Sequence, residues 1–204
     1  MTKIKICGIS RPKDVEYVNE CLPEYIGFVF AKSKRQVNKE QAKALRMQLS
    51  SQIQTVGVFV DEQIDKIKEL CDDDIIDMIQ LHGNENEEYI NALTEIISKP
   101  IIKAVRVQNE EQILQAQRLS CDKLLLDTYV PQEYGGSGKE LDLQLIPVLT
   151  KPYFLAGGLS ADNIKDKLSK IHPYAVDVSS GVETKGKKDF QKISTFIDNV
   201  REGQ

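Results

Sequence analysis

Residues 3–8 read Lys3-Ile4-Lys5-Ile6-Cys7-Gly8, in which polar and apolar residues alternate up to a glycine. Alternation of this kind is typical of a short β-strand, and the glycine marks its end. Because successive side chains of a strand point to opposite faces, Lys3, Lys5 and Cys7 share one face. We expect Ile4 and Ile6 to pack under helices, which places Cys7 at the mouth of a barrel.

Similar strands recur along the chain, and a helical pattern follows each one. Seven further strands are predicted at 25–30, 55–60, 75–81, 101–105, 123–126, 153–156 and 175–178. Helices are predicted at 10–21, 38–49, 61–71, 87–97, 110–119, 141–149, 160–171 and 189–201, with Asn38 and Asp61 as N-caps of the second and third. Eight alternating units predict an α/β fold, and their number favours an eight-stranded parallel (β/α)₈ TIM barrel over a doubly wound sheet. We expect residues 1–204 to form a single domain.

Composition narrows the class of function. The chain has 204 residues, of which 41% are hydrophobic and 28% charged, with a net charge of −4. A chain without excess Lys and Arg is not expected to bind nucleic acid, because binding requires neutralisation of the phosphate backbone. We find neither a signal segment nor an apolar run of about 18 residues, so we expect a cytoplasmic protein that does not enter membranes.

Four cysteines, at positions 7, 21, 71 and 121, are evenly spread without a C-x-x-C pair. This spacing favours neither a disulfide framework nor a zinc site, and we expect no metal. Free cysteines are mostly inert buried side chains, which is the expected state of the last three. Cys7 differs because its strand ends at the predicted barrel mouth.

Active sites of such barrels lie at the carboxyl ends of the strands. Gly157-Gly158 follows the seventh predicted strand and Ser179-Ser180-Gly181 follows the eighth. A single glycine pair usually marks a tight turn, but two such turns side by side expose backbone N–H groups and favour a phosphate site. Lys185, Lys187 and Lys188 beyond them are expected in a solvated surface loop.

Cys7 and Asp127 end the first and sixth predicted strands and would face each other across the mouth. A thiol and a carboxyl group placed in this way can act as an acid–base pair. The alternative for Asp127 is a helix or turn cap, which is the usual role of a loop aspartate.

Eight motifs taken together resemble the phosphoribosylanthranilate isomerase family, single-domain barrel enzymes of tryptophan biosynthesis, and they span essentially the whole chain in the family's order. The motifs are Lys5-Ile6-Cys7-Gly8-Ile9, Gly27-Phe28-Val29-Phe30, Ser33-Lys34-Arg35, Gln80-Leu81-His82-Gly83, Leu126-Asp127, Gly135-Gly136-Ser137-Gly138-Lys139, Leu155-Ala156-Gly157-Gly158-Leu159 and Asp177-Val178-Ser179-Ser180-Gly181-Val182-Glu183.

The resemblance implies an Amadori rearrangement without a cofactor, in which N-(5-phosphoribosyl)anthranilate becomes 1-(2-carboxyphenylamino)-1-deoxyribulose 5-phosphate. It assigns Asp127 as the general acid and Cys7 as the general base, and Arg35 as the partner of the anthranilate carboxylate. It also implies that Gly157, Gly158, Ser180 and Gly181 bind the phosphate. Asp177 and Ser179 would line the end of the eighth strand, beside the ribose or the base. His82 would approach the mouth or serve a structural hydrogen-bonding role.

One hypothesis goes beyond the resemblance. Lys5 shares the face of Cys7, and a nearby ammonium group lowers the pKa of a thiol. We expect Lys5 to lower the pKa of Cys7 and to be held by an acidic neighbour such as Asp177. The alternative is a lysine paired lower in the barrel for packing alone.

Other functions remain open from the sequence. Another phosphosugar isomerase or epimerase could use the same barrel, and a Schiff-base aldolase would need a lysine at a strand end, for which Lys103 is the candidate. A non-catalytic phosphosugar-binding protein is a further alternative. In each case the partner is a small phosphorylated molecule, and the protein could be a monomer or a homodimer.

Overall fold

Eight parallel strands close into one barrel in a computed structural model, which describes residues 1–129 and 140–203. The predicted TIM barrel is therefore confirmed. The strands are β1 (Lys3–Cys7), β2 (Tyr25–Val29), β3 (Gln54–Phe59), β4 (Met78–Leu81), β5 (Ile101–Val107), β6 (Lys123–Thr128), β7 (Tyr153–Leu155) and β8 (Ala175–Val178). β1 pairs with β8 to close the ring, and this register places Lys5 opposite Asp177.

Seven α-helices surround the strands in the described residues. They are α1 (Pro12–Cys21), α2 (Lys39–Arg46), α3 (Ile64–Asp72), α4 (Glu87–Ile96), α5 (Glu110–Ala116), α6 (Ile164–Leu168) and α7 (Phe190–Glu202). Side chains set several of the starts: Asn38, Asn86, Asn109 and Asp189 each accept a hydrogen bond from a backbone N–H in the first turn.

The barrel wall separates two apolar regions. Ile4 and Ile6 belong to the larger one, between the strands and the helices. The smaller one lies inside the barrel and is formed by Tyr25, Val56, Met78, Ile102, Ala104, Leu125, Phe154, Ala156 and Ala175. Lys5 is fully buried, so the two faces of β1 are those that its alternation predicts.

The helix predicted at 141–149 is wrong. A short 3₁₀ turn, Leu143–Leu145, stands there, capped by the Asp142 side chain. Pro147 lies in the predicted range, and proline removes a helical hydrogen bond and clashes with the preceding turn. The glycine-rich motif 135–139 lies outside the described residues.

Two further helix starts differ from prediction. α6 begins only after Asn163, whose side chain bonds Ser160 N–H and the Gly158 carbonyl and so ties the preceding turn together. Asp61 does not cap α3, whose N-cap is Gln63. The Asp61 carboxylate instead accepts hydrogen bonds from the backbone and side-chain amides of Asn84.

An unpredicted hairpin follows β8. A 3₁₀ turn, Ser180–Val182, leads into β9 (Glu183–Thr184), which pairs antiparallel with β10 (Lys187–Lys188). Lys185 and Gly186 join them with φ values of 52° and 73°, the left-handed pair that a tight hairpin turn needs. The hairpin brings Glu183 and Lys188 beside the barrel mouth.

No helix in residues 1–129 or 140–203 has the length and apolar character to cross a membrane.

Candidate active site

Cys7 ends β1 inside the barrel mouth, where 8% of the residue is exposed. Its register partner on β2 is Gly27. A Cβ atom at position 27 would lie 2.7 Å from Cys7 Sγ, so glycine leaves the room that the thiol occupies. Gly8 then turns the chain away with φ +84°, a conformation that glycine adopts without steric cost. These two glycines fix where the thiol lies.

A buried ion pair lies beside the thiol. Lys5 Nζ is 3.0 Å from Asp177 Oδ1, so the predicted contact between these residues is present. Burial alone lowers the pKa of Lys5, but Asp177 and Cys7 outweigh this effect, and the pKa is raised. Lys5 therefore keeps its positive charge in the barrel interior.

Several groups act in opposite directions on the pKa of Cys7. Burial raises the pKa of the thiol, Lys5 lowers it, Asp177 raises it, and Lys188 lowers it. The net result is a raised pKa because loss of hydration is the largest effect. Lys5 thus acts in the direction predicted from the sequence, without bringing the thiol below its ordinary value.

Asp127 lies near the end of β6 and is 6% exposed. Its Oδ1 accepts a hydrogen bond of 2.8 Å from the Thr128 N–H. Its Oδ2 is 3.4 Å from His82 Nε2, although the ring nitrogen has no aligned hydrogen bond within the described ranges. The carboxyl group is thus held on one side by its own strand and faces an imidazole on the other.

The loops after β7 and β8 meet where the phosphate site is predicted, and we call the residues that border this place the glycine cradle. Gly157, Gly158, Ser179, Ser180 and Gly181 line one small cavity, together with Asp127 and Asp177. Added Cβ atoms would lie 2.2 Å from Thr128 Oγ1 at position 157 and 1.9 Å from the Leu159 carbonyl at position 181. Only glycine therefore fits at positions 157 and 181, where the backbone approaches Thr128 and Leu159 so closely, and the cavity adjoins the candidate acid.

Arg35 reaches the mouth from the loop after β2. It forms two parallel hydrogen bonds with Glu183, from Nε to Oε1 at 2.7 Å and from Nη2 to Oε2 at 2.9 Å. Its stem crosses Gly8, where a Cβ atom would lie 2.4 Å from Arg35 Cδ. Arg35 is therefore fixed by a carboxylate of the protein itself.

Lys188 is buried, although the sequence predicts it in a solvated surface loop. Its side chain is 1% exposed and donates to Glu183 Oε1 at 2.6 Å and to the Ser179 carbonyl at 3.0 Å. Alternation across the two residues of β10 turns Lys187 outward and Lys188 inward. Sequence reasoning missed Lys188 and Glu183 as a buried pair, since only the hairpin shows which lysine turns in.

Lys103 on β5 has a partner of its own. Its Nζ lies 2.6 Å from Glu85 Oε2 and 2.8 Å from the Gly83 carbonyl. A Schiff-base lysine must reach an incoming carbonyl as a free amine. The charged pairing therefore does not favour the aldolase alternative.

A larger cavity of about 440 Å³ lies at the ends of β2 and β3 and is bordered by His82. Its lining includes the apolar side chains of Val29, Phe30, Val58 and Val60, with His82 also contributing. Phe30 stacks on Phe59 with 5.2 Å between the ring centroids, which fixes one wall. The mouth thus has a small glycine-lined cavity after β7 and β8 and a larger, partly apolar cavity at the ends of β2 and β3.

Comparison with known proteins gives a consistent family. The family described as N-(5'phosphoribosyl)anthranilate (PRA) isomerase matches residues 4–199. A relative named N-(5'-phosphoribosyl)anthranilate isomerase from Lachnoclostridium phytofermentans is 48% identical, covering 96% of this chain and 95% of its own length. One of the same name from Endomicrobium trichonymphae is 50% identical, covering 98% of this chain and 99% of its own.

A solved structure of phosphoribosyl anthranilate isomerase in complex with reduced 1-(o-carboxyphenylamino)-1-deoxyribulose 5-phosphate is also similar. Its sequence is 33% identical and the TM-score is 0.81, over 99% of this chain and 100% of that one. Sequence and fold agree over nearly the whole length in each comparison. The chain therefore belongs to the N-(5'-phosphoribosyl)anthranilate isomerase family.

Proposed function

We propose that the protein converts N-(5'-phosphoribosyl)anthranilate to 1-(2-carboxyphenylamino)-1-deoxyribulose 5-phosphate by an Amadori rearrangement that needs no cofactor. The observation that carries this proposal is the placement of Cys7 and Asp127. One is a buried thiol and the other a buried carboxyl group, both at the mouth of a barrel whose last two strands end in a glycine cradle. Family membership supplies the substrate.

The reaction divides into two proton transfers. Asp127 donates a proton to the ring oxygen of the ribose, which opens the ring and leaves an iminium group at C1. The Cys7 thiolate then removes the proton from C2 to give an enolamine, which tautomerises to the ketone. A positioned acid and base of this kind each contribute roughly 10²–10⁴-fold to a rate.

The two ends of the substrate are anchored separately. Backbone N–H groups at Gly157, Gly158, Ser180 and Gly181 bind the phosphate, in the manner of anion sites at helix and turn starts. Arg35 binds the anthranilate carboxylate, since its planar guanidinium matches a carboxylate better than lysine does.

The remaining groups border the reacting atoms. The apolar cavity beside Phe30 accepts the aromatic ring, which leaves the ribose between Cys7 and Asp127. Asp177 and Ser179 lie at the end of β8 beside the cradle and border the ribose. Their placement limits substrate motion at the reacting carbons.

The direct assay follows the loss of anthranilate fluorescence from freshly made phosphoribosylanthranilate. We expect rapid loss with the wild type and none above background with Cys7→Ala or Asp127→Asn. Each variant must still bind the reduced product analogue, which shows that the site has folded. Absence of turnover by the wild type, with binding retained, would favour a phosphosugar-binding protein, and turnover of a different phosphosugar would favour another isomerase or epimerase.

Partners and location complete the proposal. We expect a small phosphorylated substrate, no nucleic-acid partner and a cytoplasmic location. The protein is a monomer or a homodimer, and light scattering coupled to size-exclusion chromatography distinguishes the two by mass.

A further inference from the structure

Gln80 and His82 form a buried polar pair on the inner face of the barrel. They lie two residues apart on and just beyond β4, so both side chains point inward with Met78. Gln80 is 1% exposed and His82 is 7% exposed. Gln80 Nε2 is 2.7 Å from His82 Nδ1. Burial of a polar side chain without hydrogen bonds costs free energy, so two such residues inside the barrel suggest a specific role.

The orientation of the Gln80 amide sets which ring nitrogen carries the proton. With Nε2 turned to the ring, as in the structure, the amide donates and His82 Nδ1 accepts, while Gln80 Oε1 has no hydrogen-bond partner among the described residues. A neutral imidazole with an accepting Nδ1 carries its proton on Nε2. The second nitrogen is therefore an N–H donor.

That nitrogen lies close to the carboxyl group of the candidate acid. His82 Nε2 is 3.4 Å from Asp127 Oδ2, and within residues 1–129 and 140–203 it has no hydrogen-bond partner. Hydrogen bonds between nitrogen and oxygen measure about 2.7–3.2 Å with a nearly straight N–H···O angle, so the bond forms when the ring shifts and turns to bring the N–H closer to Oδ2 and into line with it. The Asp127 carboxyl group is therefore the group with which this buried N–H is placed to interact.

We propose that Gln80 is a positioning residue for catalysis: its amide holds the His82 ring with the proton on Nε2, and His82 donates that N–H to Asp127. This inference rests on the proposed function, in which Asp127 gives a proton to the ribose ring oxygen. As the proton leaves, Asp127 becomes a carboxylate, which Thr128 N–H and His82 Nε2–H both stabilise. Hydrogen bonds that favour the charged form ease donation.

The tautomer can be measured without turnover. The chain has two histidines, His82 and the exposed His172, so His172→Asn identifies the His82 signals in ¹⁵N spectra. Protonated and unprotonated ring nitrogens have well-separated ¹⁵N shifts. We expect a proton on Nε2 alone in the wild type, and a population with the proton on Nδ1 in Gln80→Met, which has no donor.

Kinetics then test whether Gln80 acts through His82. We expect Gln80→Met to lower kcat by about tenfold, a fraction of the roughly 10²–10⁴-fold that a general acid supplies, with KM within twofold. The same substitution should have no effect on kcat in a His82→Phe background, since residues that act as a unit are not additive. Met78→Leu, on the same inner face, is the control for barrel packing and should leave kcat unchanged.

Three results would overturn the inference: a wild-type ring protonated on Nδ1, an unchanged kcat in Gln80→Met, or an equal fall in kcat with and without His82. Failure of the proposed function itself looks different, because the wild type would then lack turnover while the tautomer could still be read in the free protein.

Discussion

Arg35 and Glu183 are joined by two parallel hydrogen bonds, at 2.7 and 2.9 Å, between the loop after β2 and the hairpin after β8. Glu183 Oε1 also accepts a 2.6 Å bond from the buried Lys188. The residue assigned to the substrate carboxylate is therefore held by a carboxylate that a second buried cation supports. Arg35, Glu183 and Lys188 thus form one charged network, which ends at the Ser179 carbonyl in the cradle.

Removing the charge of Glu183 should destabilise the protein markedly. Glu183→Gln leaves the buried Lys188 without its anionic partner, and loss of one partner of a buried ion pair costs about 3–5 kcal/mol. Denaturant unfolding measures the change. The matched control is Glu16→Gln, whose partner Lys13 is exposed, and exposed pairs contribute about 0–1 kcal/mol. Equal losses in the two variants would refute this role of Glu183.

Stability should also depend on pH through Glu183. Burial raises the pKa of this carboxyl group, but hydrogen bonds from Arg35 and the charge of Lys188 outweigh it, and the pKa lies below the ordinary value of 4.5. A depressed pKa adds stability above the ordinary value, and that contribution is lost as the pH falls through the lower value. Below pH 4.5 the free energy of unfolding should fall less steeply in Glu183→Gln than in the wild type.

Lys5 should shift the pH dependence of turnover. Cys7 must lose its proton to act as a base, so kcat/KM should rise with pH, and burial places this rise above the ordinary thiol pKa of 9.0. Lys5 lowers the pKa of Cys7, so Lys5→Met should move the rise to higher pH. Lys3→Met, lower on the same face, should not. Coincident profiles for Lys5→Met and the wild type would contradict the hypothesis.

The cradle should tolerate no added methyl group. Gly181→Ala would place Cβ 1.9 Å from the Leu159 carbonyl and should raise KM and weaken binding of the reduced product analogue. Gly186→Ala is the control, because no atom lies within 4 Å of the new Cβ although φ is +73°. It should cost about 1–2 kcal/mol of stability through its left-handed backbone and leave KM unchanged. If Gly181→Ala kept wild-type KM and binding, the phosphate assignment would fail.

The periodicity of the sequence was sufficient to predict the barrel and the residues that lie at its mouth. Alternation in β1 predicted that Lys5 and Cys7 face inward, and the closed register then placed Asp177 beside Lys5. Such predictions succeed because a strand has a fixed two-residue repeat and parallel strands end at a common edge.

Contacts that depend on irregular backbone were not predictable in this way. Lys188 has the same local composition as its exposed neighbours, and only the β9–β10 hairpin buries it. Pro147 is a signal against the helix predicted at 141–149, because proline interrupts a helix whatever the apolar spacing around it. The contact between Gln80 and His82 was also not predictable, because their spacing shows that both side chains face inward but not that they meet.

The most direct test of the account uses substrate deuterated at C2 and measures deuterium released to water. We predict release by the wild type at the rate of turnover, with a primary isotope effect where proton removal limits the rate. Cys7→Ala should release none above background while still binding the reduced product analogue. Continued release by Cys7→Ala at the wild-type rate would contradict the assignment of Cys7 as the base.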